Sequence, residues 1–302
     1  MSSDTVKTAK AFLPLAPRTK ESVKPEKNTF LRAFYMVSPI LIYMLYVSLL
    51  TALFTYLMGM VADMSEDNAR YLSANNVLFN AILRLAALLI ATVMQTPSLL
   101  GEKPVFIHRI NRSKETEPGQ GVSVTSKTAV TRCIYCVILG ASLALFFNIF
   151  IAYTRIASFS KVYESVAEKQ FSLVLPMGIL LYGIISPLAE EVVFRGLVYN
   201  RMRRDMGVYA AIIISSLLFG LYHFNIVQGI YGVLMALVIA WIYERYGGFI
   251  YPCLIHMGAN TFIYILSATE GGMKKMMTPV TLIITGAISI VLIVYNALKD
   301  KP

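Results

Sequence analysis

Two adjacent carboxylates, Glu190 and Glu191, and an arginine, Arg195, stand inside an apolar run that reaches from Pro187 to Val198. An ionised side chain at the middle of a bilayer helix costs about 2.5–3.5 kcal/mol on insertion scales. A helix end among lipid headgroups would carry such charges cheaply, but two further polar pairs follow on later apolar runs. Phe219 precedes His223 by four residues, and His256 precedes Asn260 by four. Together these positions offer a carboxylate base, two imidazoles and an amide donor. Peptide hydrolysis needs that set: a base for water, an acid for the leaving amine and donors for the oxyanion.

Helical phase divides the cluster into roles. Glu191 and Arg195 are i and i+4, so they share a helix face and can pair. Glu190 is five residues from Arg195, which turns the two apart and leaves Glu190 to face a cavity. A carboxylate held out of water is a stronger base than one in water. His256 and Asn260 present an imidazole and an amide side by side, and Phe219 lies beside His223. No Ser-His-Asp or Cys-His arrangement competes. Cys253 lies three residues before His256, and Cys133 and Cys136 form a CxxC within an apolar helix; all three read as small apolar residues. Glu190, His223 and His256 also supply the His₂Glu set of zinc peptidases, so zinc is an alternative. The short-spaced HExxH of many such enzymes is absent.

The elements that must position these residues are membrane spans. The 302-residue chain is 57% hydrophobic and 15% charged, against roughly 25% charged in soluble domains. The net charge of +10 lies mostly in loops between apolar runs, as the positive-inside rule produces, so it reads as topology and not as nucleic-acid binding. The expected fold is an all-α polytopic membrane protein, a bundle of about eight transmembrane helices with both termini cytoplasmic. Residues 1–28 read as a flexible basic tail and not a cleaved signal. Residues 29–170 form an N-terminal transmembrane region of three spans, about 34–61, 77–95 and 129–153. Residues 171–270 form the chemical core of four spans, the first running from about 173 to the cluster Arg201, Arg203 and Arg204. The others cover about 208–227, 229–246 and 249–268. Residues 271–302 hold a final span and a short tail. Arg84, about two turns from the outer end of the second span, can snorkel to the headgroups or find a partner. His108 falls in a basic loop and reads as exposed.

Counting along the helices aligns the polar groups in depth. Glu190 lies 16 residues before a turn near Met206 and His223 lies 17 after it. Each is therefore roughly 24 Å of helix from the same turn. His256 and Asn260 fall in the same half of the bilayer.

Glu-Glu-x-x-x-Arg at 190–195, Phe-x-x-x-His at 219–223 and His-x-x-x-Asn at 256–260 resemble, in that order, the CPBP family of CAAX proteases and bacteriocin-processing enzymes. The resemblance covers about residues 175–270. It implies an eight-helix intramembrane endopeptidase in which Glu190 activates water with His223 beside it. His256 and Asn260 would support the water and the oxyanion, Glu191 and Arg195 would form the supporting pair, and no cofactor would be needed. The implied substrate is a membrane-associated protein or peptide, of the CAAX type with its prenyl group or a bacteriocin or signal peptide. The partners are that substrate and the lipid bilayer, with no nucleic acid. The implied setting is an integral multi-pass protein of a prokaryotic plasma membrane, or of the endoplasmic reticulum in a eukaryote. A non-catalytic membrane scaffold or immunity protein with the same fold is the alternative in a different class; a transporter would show two broken-helix halves, which the sequence lacks.

Overall fold

The computed structural model describes residues 28–101, 126–156 and 160–299. The basic tail expected over 1–28, apart from Asn28, lies outside the described residues, as do most of the loop holding His108 and the last three residues.

The described chain is helical. Helix α1 (Thr29–Asp63) begins at Asn28, whose side chain accepts the N–H groups of Phe30 and Leu31. Short α2 (Glu66–Ala74), capped by Ser65, leads into α3 (Asn76–Met94) and α4 (Thr96–Gly101). After α5 (Ser126–Thr154) comes the amphipathic connection α6 (Lys161–Phe171). The long span α7 (Leu175–Met206) and the shorter apolar helix α8 (Val208–Leu221) follow. The chain closes with α9 (Ile226–Tyr246), α10 (Ile250–Ala268), the small turn α11 (Gly272–Met276) and α12 (Pro279–Lys299).

Seven of these helices are long and apolar enough to cross a membrane among the described residues, and α8 is the eighth apolar helix but shorter. The fifth span expected over about 208–227 therefore stops early. Phe224 adopts a positive φ of 53°, which ends the helix, and Asn225 opens α9 by accepting the N–H of Gln228 at 2.8 Å. The run from 208 to 227 is mostly apolar, so composition joined what the backbone at Phe224 separates. The class stands: an all-α polytopic membrane protein. Leu45, Leu49 and Leu53 on α1 and Ile283, Ile290 and Val291 on α12 are exposed, as lipid-facing side chains are.

Two apolar cores meet along α9. One gathers α1, α3, α7 and α8, with Tyr43, Leu181, Phe194, Val198 and Phe219 buried. The other gathers α5, α9 and α10, with Leu139, Ile239, Tyr251 and Ile255 buried. Backbones approach closely where glycine allows it. A Cβ on Gly140 of α5 would stand 2.1 Å from the carbonyl oxygen of Ile255 in α10, and one on Gly220 of α8 would stand 2.6 Å from the carbonyl oxygen of Gly229 in α9.

Prolines create further inter-helix links. A proline inside a helix removes the N–H that would bond the carbonyl four residues earlier. Pro39 in α1 thus frees the carbonyl of Tyr35, which accepts Arg201 Nη1 at 2.6 Å. Pro187 in α7 frees that of Gly183, which accepts the Thr261 hydroxyl at 3.2 Å; the neighbouring Tyr182 carbonyl accepts Asn260 Nδ2 at 3.2 Å. Each lost rung becomes a tether to another helix. The arginines ending α7 work alike: Arg201 holds α1, and Arg203 pairs with the buried Glu244 of α9 at 3.1 Å. Glu244 also accepts the Tyr199 hydroxyl, while Arg245 donates to the last carbonyls of α12. The sequence neighbours Glu244 and Arg245 thus serve different partners, as i, i+1 residues on a helix point apart.

Gly140→Val would force a side chain into the backbone of α10, and overpacking typically costs about 1–3 kcal/mol. Thermal melting of the detergent-purified variant is expected to show a clearly lower midpoint than wild type, whereas Gly59→Ala, with open space around it, should melt with wild type.

Candidate active site

Glu190 and Glu191 sit on a single α-helical turn of α7, Ser186–Glu191, between two π-helical stretches, Ile179–Ile185 and Val192–Tyr199. Insertions of π geometry shift the phase of the side chains beyond them and are frequent at functional sites. Pro187 contributes by leaving the carbonyl of Gly183 without its helical donor. Adjacent residues on a helix diverge by about 100°, so the two carboxylates enter different surroundings.

Glu191 is fully buried. Its Oε1 accepts Arg195 Nη1 at 3.1 Å and His256 Nδ1 at 2.8 Å. Arg195, also buried, donates through Nη2 to the carbonyl of Ala236 in α9 at 3.2 Å, and its guanidinium lies 5.2 Å from the centre of the Phe219 ring. One carboxylate and one guanidinium thus join α7, α8, α9 and α10. Glu191 Oε2 and Arg195 Nε make no hydrogen bond, so the pair is not fully satisfied.

Glu190 faces the other way. Its Oε1 accepts the Ser186 hydroxyl at 3.0 Å, and its Oε2 stands 3.7 Å from His256 Nε2. That gap exceeds a direct hydrogen bond and is one that a water or a substrate oxygen can bridge. His256 therefore lies between the two acids. A carboxylate paired to arginine only accepts, so Nδ1 of His256 carries the hydrogen and Nε2 is the nitrogen turned to Glu190.

His223 lies just past the end of α8. Its Nδ1 is 2.9 Å from the carbonyl of Phe219, which can only accept. Nδ1 is thus the protonated nitrogen of the neutral ring, and Nε2 keeps its lone pair. Asn225 braces the turn by donating to the carbonyl of His223 at 3.1 Å. Phe219 is the common neighbour, edge-on to both imidazoles with centroids 5.0 Å from His223 and 5.7 Å from His256.

A cavity of about 580 Å³ is lined by Glu190, His223, His256, Asn260 and Phe219. Glu191 and Arg195 are not among its lining residues; they hold His256 from behind. The structure thus brings all seven candidate residues to one place, four polar ones and Phe219 on the cavity wall and an ion pair beneath. The Asn260 amide, expected to support the water and the oxyanion, donates to the Tyr182 carbonyl of α7 at 3.2 Å. Among the described residues, no three His, Cys, Asp or Glu side chains are grouped to hold a metal ion. Sequence reading missed Ser186, whose signal was its i−4 spacing from Glu190, and Tyr222, which lines the cavity and meets His223 edge-on at 5.3 Å. The CxxC thiols and Cys253 lie outside the cavity lining.

The segment that carries this site is similar to parts of known proteins. Residues 172–262 match the family described as "Type II CAAX prenyl endopeptidase Rce1-like", and this stretch contains the seven candidate residues named above. This match is in keeping with the CPBP resemblance carried by the motifs of the same stretch. The chain is 27% identical over 114 residues to "Putative membrane peptidase YdiL" of Bacillus subtilis (strain 168), covering 37% of this chain and 47% of that one. It is 31% identical over 83 residues to "UPF0177 protein YxdF" of Lactococcus lactis subsp. lactis (strain IL1403), covering 27% of this chain and 45% of that one. The chain thus spans about half the length of the curated relatives it matches. No solved structure matches it.

Breaking a buried ion pair by removing one partner costs about 3–5 kcal/mol because a charge is left uncompensated. Glu191→Gln and Arg195→Met are each expected to lower the denaturation midpoint strongly. The double variant should lose less than the sum, a coupling that a double-mutant cycle measures directly.

Proposed function

We propose that the protein is an intramembrane endopeptidase in which Glu190 activates water to cleave a peptide bond of a membrane-associated substrate. The observation that carries this reading is the placement of Glu190 on the cavity wall, with Oε2 3.7 Å from a histidine whose other nitrogen is tied to Glu191. In this scheme Glu190 takes a proton from water as the water oxygen bonds to the carbonyl carbon. Charge develops on the former carbonyl oxygen beside His256 and the amide of Asn260. The proton then passes to the leaving nitrogen as the C–N bond breaks, directly or through His223 Nε2. Glu191 and Arg195 orient His256, Ser186 orients Glu190, and Phe219 spaces the two imidazoles.

The Rce1-like match supports a substrate of the CAAX type, cleaved near a prenylated cysteine, and the cavity has the size of sites that take drug-sized ligands. Processing of bacteriocin or signal peptides is the other substrate class within the same chemistry. The bacterial relatives support a prokaryotic plasma membrane.

General base catalysis contributes about a hundred- to ten-thousandfold. Glu190→Gln should therefore cut turnover by about a thousandfold with little change in melting temperature. Comparative mapping of peptide termini in cells carrying wild type or Glu190→Gln checks it: termini specific to wild type are expected. A Glu190→Gln protein that keeps the full biological function would make the chain a non-catalytic scaffold. Chelators are expected to leave cleavage intact; chelator-sensitive cleavage restored by zinc would instead assign Glu190, His223 and His256 as ligands.

A further inference from the structure

The proposed chemistry leaves one charge of the cavity wall unused. Arg84 lies eight residues into α3 and lines the same cavity as Glu190. Of the described lining residues it is the permanent cation and Glu190 the anion. Helix α3 packs directly against the part of α7 that carries the glutamates. Tyr43 and Tyr222 lie within electrostatic reach of both Arg84 and Glu190, so the two charges face the same patch of wall. They nevertheless do not pair. Arg84 makes no ion pair or hydrogen bond with any described residue and is exposed. Of the other arginines on the spans, Arg195 and Arg201 are tied to protein acceptors.

An arginine that only snorkels has no reason to line the cavity that holds a water-activating carboxylate. A guanidinium on the wall of a cavity between membrane helices gains from a ligand that brings a negative charge, and its planar fork matches a carboxylate in bidentate fashion. A peptide offers that group in two places, its C-terminus and the side chains of Asp and Glu. We propose that Arg84 is a specificity-determining residue that binds a carboxylate of the peptide substrate while the scissile bond lies against Glu190. This inference rests on the peptidase reading for the identity of the ligand as a peptide.

The test uses the full chain in nanodiscs of zwitterionic lipid and three short peptide pools without other acidic residues. The first ends in a free carboxylate, the second in an amide, and the third in an amide with a single internal glutamate. Binding is measured on Glu190→Gln, which isolates recognition from cleavage, and kcat/KM is measured on wild type. At least one carboxylate pool is expected to bind and be cleaved about tenfold better than the neutral pool, the scale of one charge-assisted hydrogen bond. Which pool wins tells the chain terminus from the acidic side chain. Adding Arg84→Gln should erase the preference through KM, and Arg84→Lys should restore part of it. Equal affinity for all three pools, or a preference that survives Arg84→Gln, overturns the proposal. So does an Arg84→Gln effect that, in parallel nanodiscs containing anionic lipid, is confined to retention of that lipid, which would make Arg84 a headgroup ligand. Binding preference without any cleavage by wild type would refute the peptidase reading and leave the carboxylate subsite standing.

Discussion

The structure depends on one buried ion pair, Glu191 with Arg195. Burying both charges is expensive, and the pair recovers that cost only through surrounding donors and acceptors. The carbonyl of Ala236, the imidazole of His256 and the ring of Phe219 supply them from three further helices. Packing of α8, α9 and α10 around α7 is therefore tied to satisfying these charges. The arrangement also fixes the ring of His256, because Nδ1 is committed to Glu191 and Nε2 must then face Glu190. A stability requirement and a positioning requirement are met by the same atoms.

The second organising device is the missing backbone donor. Pro39 and Pro187 each free a carbonyl inside a span, and in lipid such a group must find a partner within the protein. Arg201 answers the first, while Thr261 answers the second beside the Asn260 bond to Tyr182. The same part of α7 has π geometry on both sides of the glutamate turn. The tethers from α10 to α7 thus lie about two turns from Glu190, which stands across from His256.

Much of the site was legible because its contacts are local. The i, i+4 spacing of Glu191 and Arg195 predicted their pairing, and the observed Nη1 to Oε1 distance is 3.1 Å. The same rule put Phe219 beside His223. The depth count aligned Glu190 with His223 although α8 ends before that histidine, because the turn after Leu221 keeps it near the end of the helix. The link from Glu191 to His256 was not legible, since 65 residues separate them and only helix packing brings them together.

Composition, charge placement and helical spacing by themselves determined a helical membrane protein, the partition of the two glutamates and the set of residues that could do chemistry. These follow from the cost of charge in lipid and from the fixed 100° turn per residue, both local properties of the chain. Tertiary structure alone decided that α8 is short, that His256 stands between both acids, that Asn260 shares its amide with α7 and that Arg84 of a distant span enters the same cavity. Lateral packing of helices chooses which faces meet, and no periodicity within one helix carries that choice.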